Sequence, residues 1–403
     1  MKRSALVLAL ALGACDPGLT RPSPVILISI DGFWTEYFDY GVTPTLARLA
    51  REGVRADAMR PTFPTKTFPN HYSIVTGLYA EDHGIVANNM WDPATGDRYS
   101  LGNRDAVTDA RWYGGEPIWV TAERQGQRTA AMFWPGSEAP IGGMWPTHWV
   151  PFDDDSPNPA RVDSVLAWLD LPEPERPAFL TLYYSDVDHA GHDTGIDTPE
   201  LRAALAHVDS MIGLLVVGLE ARGTLDDVNI IVVSDHGMTP TSPERVLFLD
   251  DYVDLDEAFV SDSDPVAALW PRDSSRIDAM AAALRAGSER WTVWRKPEIP
   301  ERFHYRDHVR IAPIIVLADE GWSIASRRTF RPGRYTGATH GYDNALASMQ
   351  ALFVARGPAF KRGYVSPAFQ NIHVYELMTH ILGLEPAANR GSVDSVRMML
   401  RRP

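Results

Sequence analysis

Cysteine is almost absent: the 403 residues include one, Cys15, so no disulfide can close within a single chain. Concentrated positive charge is absent as well. Against 52 Asp and Glu stand 38 Lys and Arg, for a formal charge of -14. That balance excludes a surface built to hold DNA or RNA, which needs clustered Lys and Arg. A small anionic ligand would have to find its positive charge locally, and metal ions are one source. No internal repeat or low-complexity tract appears, and the apolar stretch Ala5 to Leu12 is too short to span a bilayer. What remains is ordinary for a globular protein, with 45% hydrophobic and 22% charged residues, enough to close a large core or two.

The first residues read as a targeting segment: Lys2 and Arg3, the apolar run, then small Gly13 and Ala14. Leu12-Gly13-Ala14-Cys15 resembles a bacterial lipobox, which implies cleavage before Cys15, lipidation of its thiol and export to the periplasm or cell envelope. Membrane attachment would then be through the lipid alone. An ordinary signal peptide that contains a cysteine is the alternative. Residues 1–15 form this segment and 16–24 a linker.

From Val25 the chain alternates strand-like and helix-like stretches. Val25-Ile26-Leu27-Ile28-Ser29-Ile30 suits a strand buried on both faces. The segment Thr43 to Ala50 has Thr43 in the capping position, Pro44 at the first helical position and Gly53 just past the end, which predicts a helix. Further strand-like runs lie at Thr129 to Trp134, Ala178 to Tyr184, Val228 to Val233 and Gln350 to Ala355. A helix over Thr198 to Ala221 aligns Leu201, Leu205, Val208, Ile212 and Leu215 on one face. The pattern predicts an α/β fold, a mainly parallel sheet sandwiched by helices. Residues 242–328 break the alternation and read as a small inserted cap within a catalytic domain of residues 25–241 and 329–403. Phe152 to Pro157 reads as a solvated acidic loop, with a calcium site as a minor alternative.

Three predicted strands end in metal-ligand residue types: Asp31; Asp188 with His192; and Asp235 with His236. In an open parallel sheet these ends share the edge where ligands bind. Asp31-Gly32 by itself is a common turn, but the coincidence at three strand ends points to a shared site. Asp188 and His192 are four apart, so one helical turn can aim both at one cation. Carboxylates and imidazoles without thiolates suit zinc or another first-row divalent metal. Two ions want roughly six to eight ligands, and His340, in a Gly-containing loop after the insertion, is the residue that fills the shortfall. Thr67 precedes a helix-like run, Pro69 to Thr76, and is the candidate nucleophile. A helix N-terminus and a bound cation both favour its alkoxide, while a mere capping role is the plain alternative.

Thr65-Lys66-Thr67-Phe68-Pro69-Asn70-His71-Tyr72, Asp188 through His192, Ser234-Asp235-His236-Gly237-Met238 and His340-Gly341-Tyr342-Asp343-Asn344 together resemble the nucleotide pyrophosphatase/phosphodiesterase family of the alkaline phosphatase superfamily. The likeness runs from about Val25 to Leu384. It implies an alkaline-phosphatase-like core and a two-zinc phosphodiesterase, here a bacterial member. Asp188, His192 and His340 would hold one zinc; Asp31, Asp235 and His236 would hold the other, with Thr67 bound to it. Asn88 would donate to a phosphoryl oxygen, with Asn89 as a weaker candidate. Attack by Thr67 would give a covalent phospho-threonine and release nucleoside 5'-monophosphates; no organic cofactor is implied.

The same resemblance gives Phe68 and Tyr183 a base-stacking role and places Phe152 where a second stacking tyrosine is expected. For each ring, core packing is an equal alternative. Asp186-Val187 departs from the acidic-Pro pair usual before the metal aspartate. Choline or glycerol phosphodiesters remain alternative substrates. A phosphomonoesterase is disfavoured because no arginine stands beside Thr67 in the sequence, and an inactive surface binding protein because every ligand is present.

Overall fold

The structure is a computed structural model that describes residues 22–401. The targeting segment and Cys15 lie outside the described residues. The N-terminal part supplies β1 (Val25–Ile30), α1 (Pro44–Glu52), β2 (Val54–Ala56) and α2 (Thr67–Thr76). Then come β3 (Thr129–Met132), β4 (His148–Val150), α3 (Asn158–Leu169), β5 (Phe179–Tyr184), α4 (Asp186–Thr194), α5 (Pro199–Ala221) and β6 (Asn229–Val233). A second group follows: β7 (Ala258–Asp262), β8 (Val266–Pro271), α6 (Ile277–Gly287), β9 (Trp291–Arg295) and β10 (Ile314–Ala318). The chain closes with β11 (Phe353–Arg356), β12 (Tyr364–Ser366) and α7 (His373–Leu382).

The main sheet has eight strands in the order β12-β2-β11-β6-β1-β5-β3-β4. Its centre, β1, pairs in parallel with β5 and β6. Every residue of β1 is buried, because its alternate side chains enter two cores. Val25 and Leu27 join the core on the α2 and α7 side, while Ile26, Ile28 and Ile30 join the core built with α1, α3 and α5. A strand covered on both faces needs a continuous apolar run rather than an alternating one, and that is what Val25 to Ile30 provides. On α5 the expected face is buried from Leu201 to Leu219.

Two local expectations change. The run near Gln350 is strand β11, and it is antiparallel to both β6 and β2. It follows the His340 loop directly, so it enters the sheet at the edge where the parallel strands end and must run backwards. Thr43 does not cap α1 with its side chain. The cap comes from α5 instead, where Asp209 accepts hydrogen bonds from the amides of Thr45 (2.9 Å) and Leu46 (2.8 Å). Gly53 does end α1, and for a packing reason: a Cβ there would lie 2.0 Å from the Ala355 carbonyl oxygen of β11.

The second group builds a four-stranded antiparallel sheet, β7-β8-β10-β9. One face, with Ala267, Leu269, Val293, Ile314 and Val316, is covered by Met280, Ala281 and Leu284 of α6. The other, with Val266, Ala268, Trp270, Ile315 and Leu317, shares a continuous core with Val25, Leu27 and α2. A buried ion pair adds to this seam: Lys66, just before Thr67, reaches Asp262 at 2.5 Å, the side chains only 6% and 10% exposed. Removing one member would strand the other charge away from water.

Because Asp209 is the N-terminal cap of α1, Asp209→Ala should lower unfolding free energy by about 1–3 kcal/mol in urea titrations. Activity per folded molecule should be unchanged, since α1 makes no part of the carboxyl-end edge.

Candidate active site

The carboxyl ends of β1, β5 and β6 meet at one edge. Asp31 follows β1; α4 begins two residues after β5 and carries Asp188 and His192 one turn apart; Asp235 and His236 follow β6. His340 arrives from its loop. The result is two compact groups, Asp31 with Asp235 and His236, and Asp188 with His236 and His340, whose ligand-type atoms all lie within 4.8 Å of one another in each group. His236 Nε2 is 2.9 Å from Asp235 Oδ2 and 3.5 Å from Asp31 Oδ1. Asp188 spans to His192 Nε2 at 3.5 Å and to His340 Nε2 at 3.7 Å, and the His236 and His340 rings stack at 3.5 Å.

Gly32 decides between a plain turn and a site component. It adopts φ +68°, and a Cβ on it would come within 3.0 Å of Asp188. Its amide donates to Asp235 Oδ1 at 3.1 Å. Only glycine lets the first strand end lie this close to the second while feeding a hydrogen bond to the third.

All three imidazoles are held from behind. Nδ1 donates to the Ala338 carbonyl from His192 (2.9 Å), to that of Gly237 from His236 (3.0 Å) and to that of Thr65 from His340 (2.8 Å). A carbonyl can only accept, so Nδ1 carries a proton, and in the neutral ring that binds metal the lone pair is on Nε2, which faces inward. The carboxylates carry the complementary signature. Asp31 Oδ1, Asp188 Oδ1 and Asp235 Oδ2 are buried without a hydrogen-bond partner. Buried oxygens left so cost several kcal/mol unless a cation meets them. The donor set therefore fits a metal.

Electrostatics point the same way. Burial, and then the Asp235 and Asp188 carboxylates, raise the Asp31 carboxyl well above its usual value. Burial would raise Asp235 too, but His236 and His71 hold it below the usual carboxylate range. Burial and the neighbouring His236 and His192 push His340 well below the ordinary imidazole value.

Thr67 is the first residue of α2 and not its cap, which falls on Lys66 without a side-chain bond. Its Oγ1 lies 3.5 Å from His236 Nε2. Asn88 Oδ1 accepts the Phe68 amide at 2.9 Å, one residue after Thr67, so its Nδ2 is the end left to donate. Asn89 starts a hairpin strand and lines a different cavity.

From Pro69 to Thr76 every residue of α2 is buried, and its polar side chains apart from the Tyr72 hydroxyl are paired, with partners that motif reading passed over. Asn70 Oδ1 accepts from the Thr62 amide (2.7 Å), the Thr62 hydroxyl (3.0 Å) and Asn371 Nδ2 (3.0 Å). Its Nδ2 donates to the carbonyls of Pro64 (3.0 Å) and Lys66 (2.9 Å). One side chain thus pins the loop that delivers Thr67. His71 Nδ1 donates to the Thr67 carbonyl (2.9 Å) and lies 3.4 Å from Asp235 Oδ2, while Nε2 accepts from Ser29 Oγ (2.8 Å). Polar residues inside an otherwise apolar helix were the available signal.

Beside Thr67 opens a cavity of about 290 Å³ lined by Phe68, Leu101, Trp134, Phe152 and Tyr183. Phe68 is half-buried and Phe152 is 39% exposed. Tyr183 is 8% exposed, and its hydroxyl donates to Asp31. The acidic loop is exposed, as expected, but not idle: Asp154 accepts from Ser185 Oγ at 2.6 Å and borders the cavity. Arg104 also lines it, an arginine that sequence proximity to Thr67 did not reveal, and its guanidinium is paired with the buried carboxylate of Glu138.

Residues 25–343 match the family of type I phosphodiesterases/nucleotide pyrophosphatases. The chain belongs to this family. Among its relatives is an uncharacterised pyrophosphatase/phosphodiesterase of Schizosaccharomyces pombe, 41% identical over 94% of this chain and 81% of that protein. Human ectonucleotide pyrophosphatase/phosphodiesterase family member 1 is 39% identical over 96% of this chain, which spans only 43% of that longer protein. The solved structure of murine family member 5, an inactive threonine-to-alanine variant in complex with AMP, superposes with a TM-score of 0.90 at 36% identity, covering 94% of this chain and all of that one. The α/β architecture expected from the strand pattern, and the alkaline-phosphatase-like core that the resemblance implied, are thereby shown.

Since Asn70 satisfies five partners from a fully buried position, Asn70→Ala should cost about 3 kcal/mol or more in unfolding free energy through the buried groups it leaves unpaired, measurable by denaturant titration.

Proposed function

We propose that this phosphodiesterase-family protein uses two zinc ions to hydrolyse nucleotide phosphodiester or pyrophosphate bonds, releasing nucleoside 5'-monophosphates through a phosphorylated Thr67. The observation that carries the reading is the set of three unpartnered, buried carboxylate oxygens facing inward-directed Nε2 atoms beside the Thr67 hydroxyl. Asp188, His192 and His340 are the ligands assigned to one ion; Asp31, Asp235 and His236, with Thr67, are assigned to the other. The short His236 to Asp235 and Asp31 distances favour this division. When bound, the ions supply positive charge at the phosphoryl group and make the threonine hydroxyl a better nucleophile.

The chain's own residues do the rest. The Thr67 loop is fixed by Asn70 and its carbonyl by His71, so Oγ1 is presented at a set angle. A bond forms from Thr67 Oγ1 to phosphorus as the bond to the leaving oxygen breaks, and water later cleaves the phospho-threonine and restores the hydroxyl. Asn88 Nδ2 donates to a phosphoryl oxygen as charge develops there. Phe68 and Phe152 offer flat faces to a base, which suits several bases alike. The AMP bound to the inactive murine relative, a threonine-to-alanine variant, supports both the nucleotide and the nucleophile.

A second substrate reading, a choline or glycerol phosphodiester, rests on Asp154 bordering an aromatic cavity, a setting that suits a quaternary ammonium. The proposal includes the inserted segment 242–328 as a cap on a catalytic domain of 25–241 and 329–403. It also includes export of a bacterial lipoprotein anchored at Cys15, in keeping with relatives named as ecto-enzymes and venom phosphodiesterases.

Steady-state kcat/KM with zinc should be highest on p-nitrophenyl thymidine 5'-monophosphate, lower on p-nitrophenyl phosphorylcholine and lowest on p-nitrophenyl phosphate. Preference for the choline ester would replace the base pocket, and preference for the monoester would remove the diesterase assignment. Thr67→Ala should keep its zinc by elemental analysis and lose turnover by about 10³-fold or more; undiminished turnover would eliminate the phospho-threonine route.

A further inference from the structure

Tyr183 stands out because its ring and its hydroxyl face different tasks. It is the penultimate residue of β5, in register with Ser29, two residues before Asp31 on the neighbouring strand β1. The ring meets His71 edge-on at 5.4 Å and Phe152 edge-on at 6.0 Å. The hydroxyl donates to Asp31 Oδ2 at 2.6 Å. The two oxygens of Asp31 are thereby made unequal. Oδ2 is engaged by the phenol, and Oδ1 is the oxygen left without a partner, 3.5 Å from His236 Nε2.

We infer that Tyr183 is a positioning residue for the metal site on the Thr67 side: its hydroxyl holds Oδ2 and leaves Oδ1 of Asp31 as the single oxygen aimed at the cation. The inference rests on the proposed zinc site and gives the tyrosine a role distinct from stacking on a base. A carboxylate free to rotate about its last bond could offer either oxygen or both, whereas one held by a buried phenol has a fixed orientation before the ion arrives. Outer-sphere hydrogen bonds of this kind typically change metal affinity by about 10- to 100-fold when removed. The neighbouring Tyr184 provides a built-in comparison. It is the next residue of the same strand, so its side chain leaves the opposite face of the sheet, and it is fully buried with a hydroxyl that has no hydrogen-bond partner.

The test is Tyr183→Phe, which keeps the ring and deletes only the hydroxyl, with Tyr184→Phe as control. Zinc dissociation constants are read by competition with a chromophoric chelator, which requires no substrate. Wild type should bind two ions; if it binds none, the metal reading itself falls. Given two ions in wild type, Tyr183→Phe should weaken one of them by about tenfold or more while the other is unmoved, and Tyr184→Phe should change neither. With zinc subsaturating, kcat of Tyr183→Phe should fall and be restored by added zinc, with KM for the nucleotide ester unchanged. Unaltered zinc affinity in Tyr183→Phe, or an equal loss in Tyr184→Phe, would overturn the inference.

Discussion

Three carboxylates, Asp31, Asp188 and Asp235, are brought out of water at one edge of a sheet and turned towards one another. Burial and, after it, repulsion from the neighbouring carboxylates raise the Asp31 carboxyl. No packing force among apolar side chains would choose this arrangement. It becomes favourable when divalent cations occupy the space between, and much of the surrounding structure can be understood as preparation for them. The imidazoles are fixed from behind by backbone carbonyls, Gly32 yields room, and the Asn70 network fixes the approach of Thr67. The scaffold contributes rigidity: β1 between two parallel neighbours, buried on both faces, ends where the charge begins.

Much of this was legible before any coordinates, for physical reasons. Metal-ligand residue types at strand ends are informative because a parallel sheet gathers those ends at one edge, so three separate segments can be placed together without knowing the fold in detail. The apolar run of β1 and the face of α5 report burial directly. Other features depend on partners distant in the chain and leave no local mark. Asp209 caps α1 from a helix about 160 residues later, β11 runs backwards because of where the His340 loop delivers it, and Arg104 joins the cavity wall only through folding. Tyr183 is an intermediate case: the motif located the residue, but only geometry shows its hydroxyl on Asp31.

The four-stranded antiparallel sheet is tied into this scaffold. Its inner face shares a core with the helix that begins at Thr67, and Lys66 reaches into it to meet Asp262. Movement of one relative to the other would break a buried ion pair and expose apolar area, so the loop bearing Thr67 and the four-stranded sheet form one mechanical unit. The part of the cavity wall formed by Phe152 and the Asp154 loop is more exposed. Differences in substrate choice among members with the same metal residues are most easily accommodated on that side.

The ligand-type residues run from Asp31 to His340, more than three quarters of the chain, and no shorter stretch contains a complete site. A nascent polypeptide emerging from the ribosome, or threading through a translocation channel, therefore carries no assembled metal centre with it. The metal-ligand residues come together only when the whole domain has folded, so loading of an ion follows folding instead of accompanying synthesis.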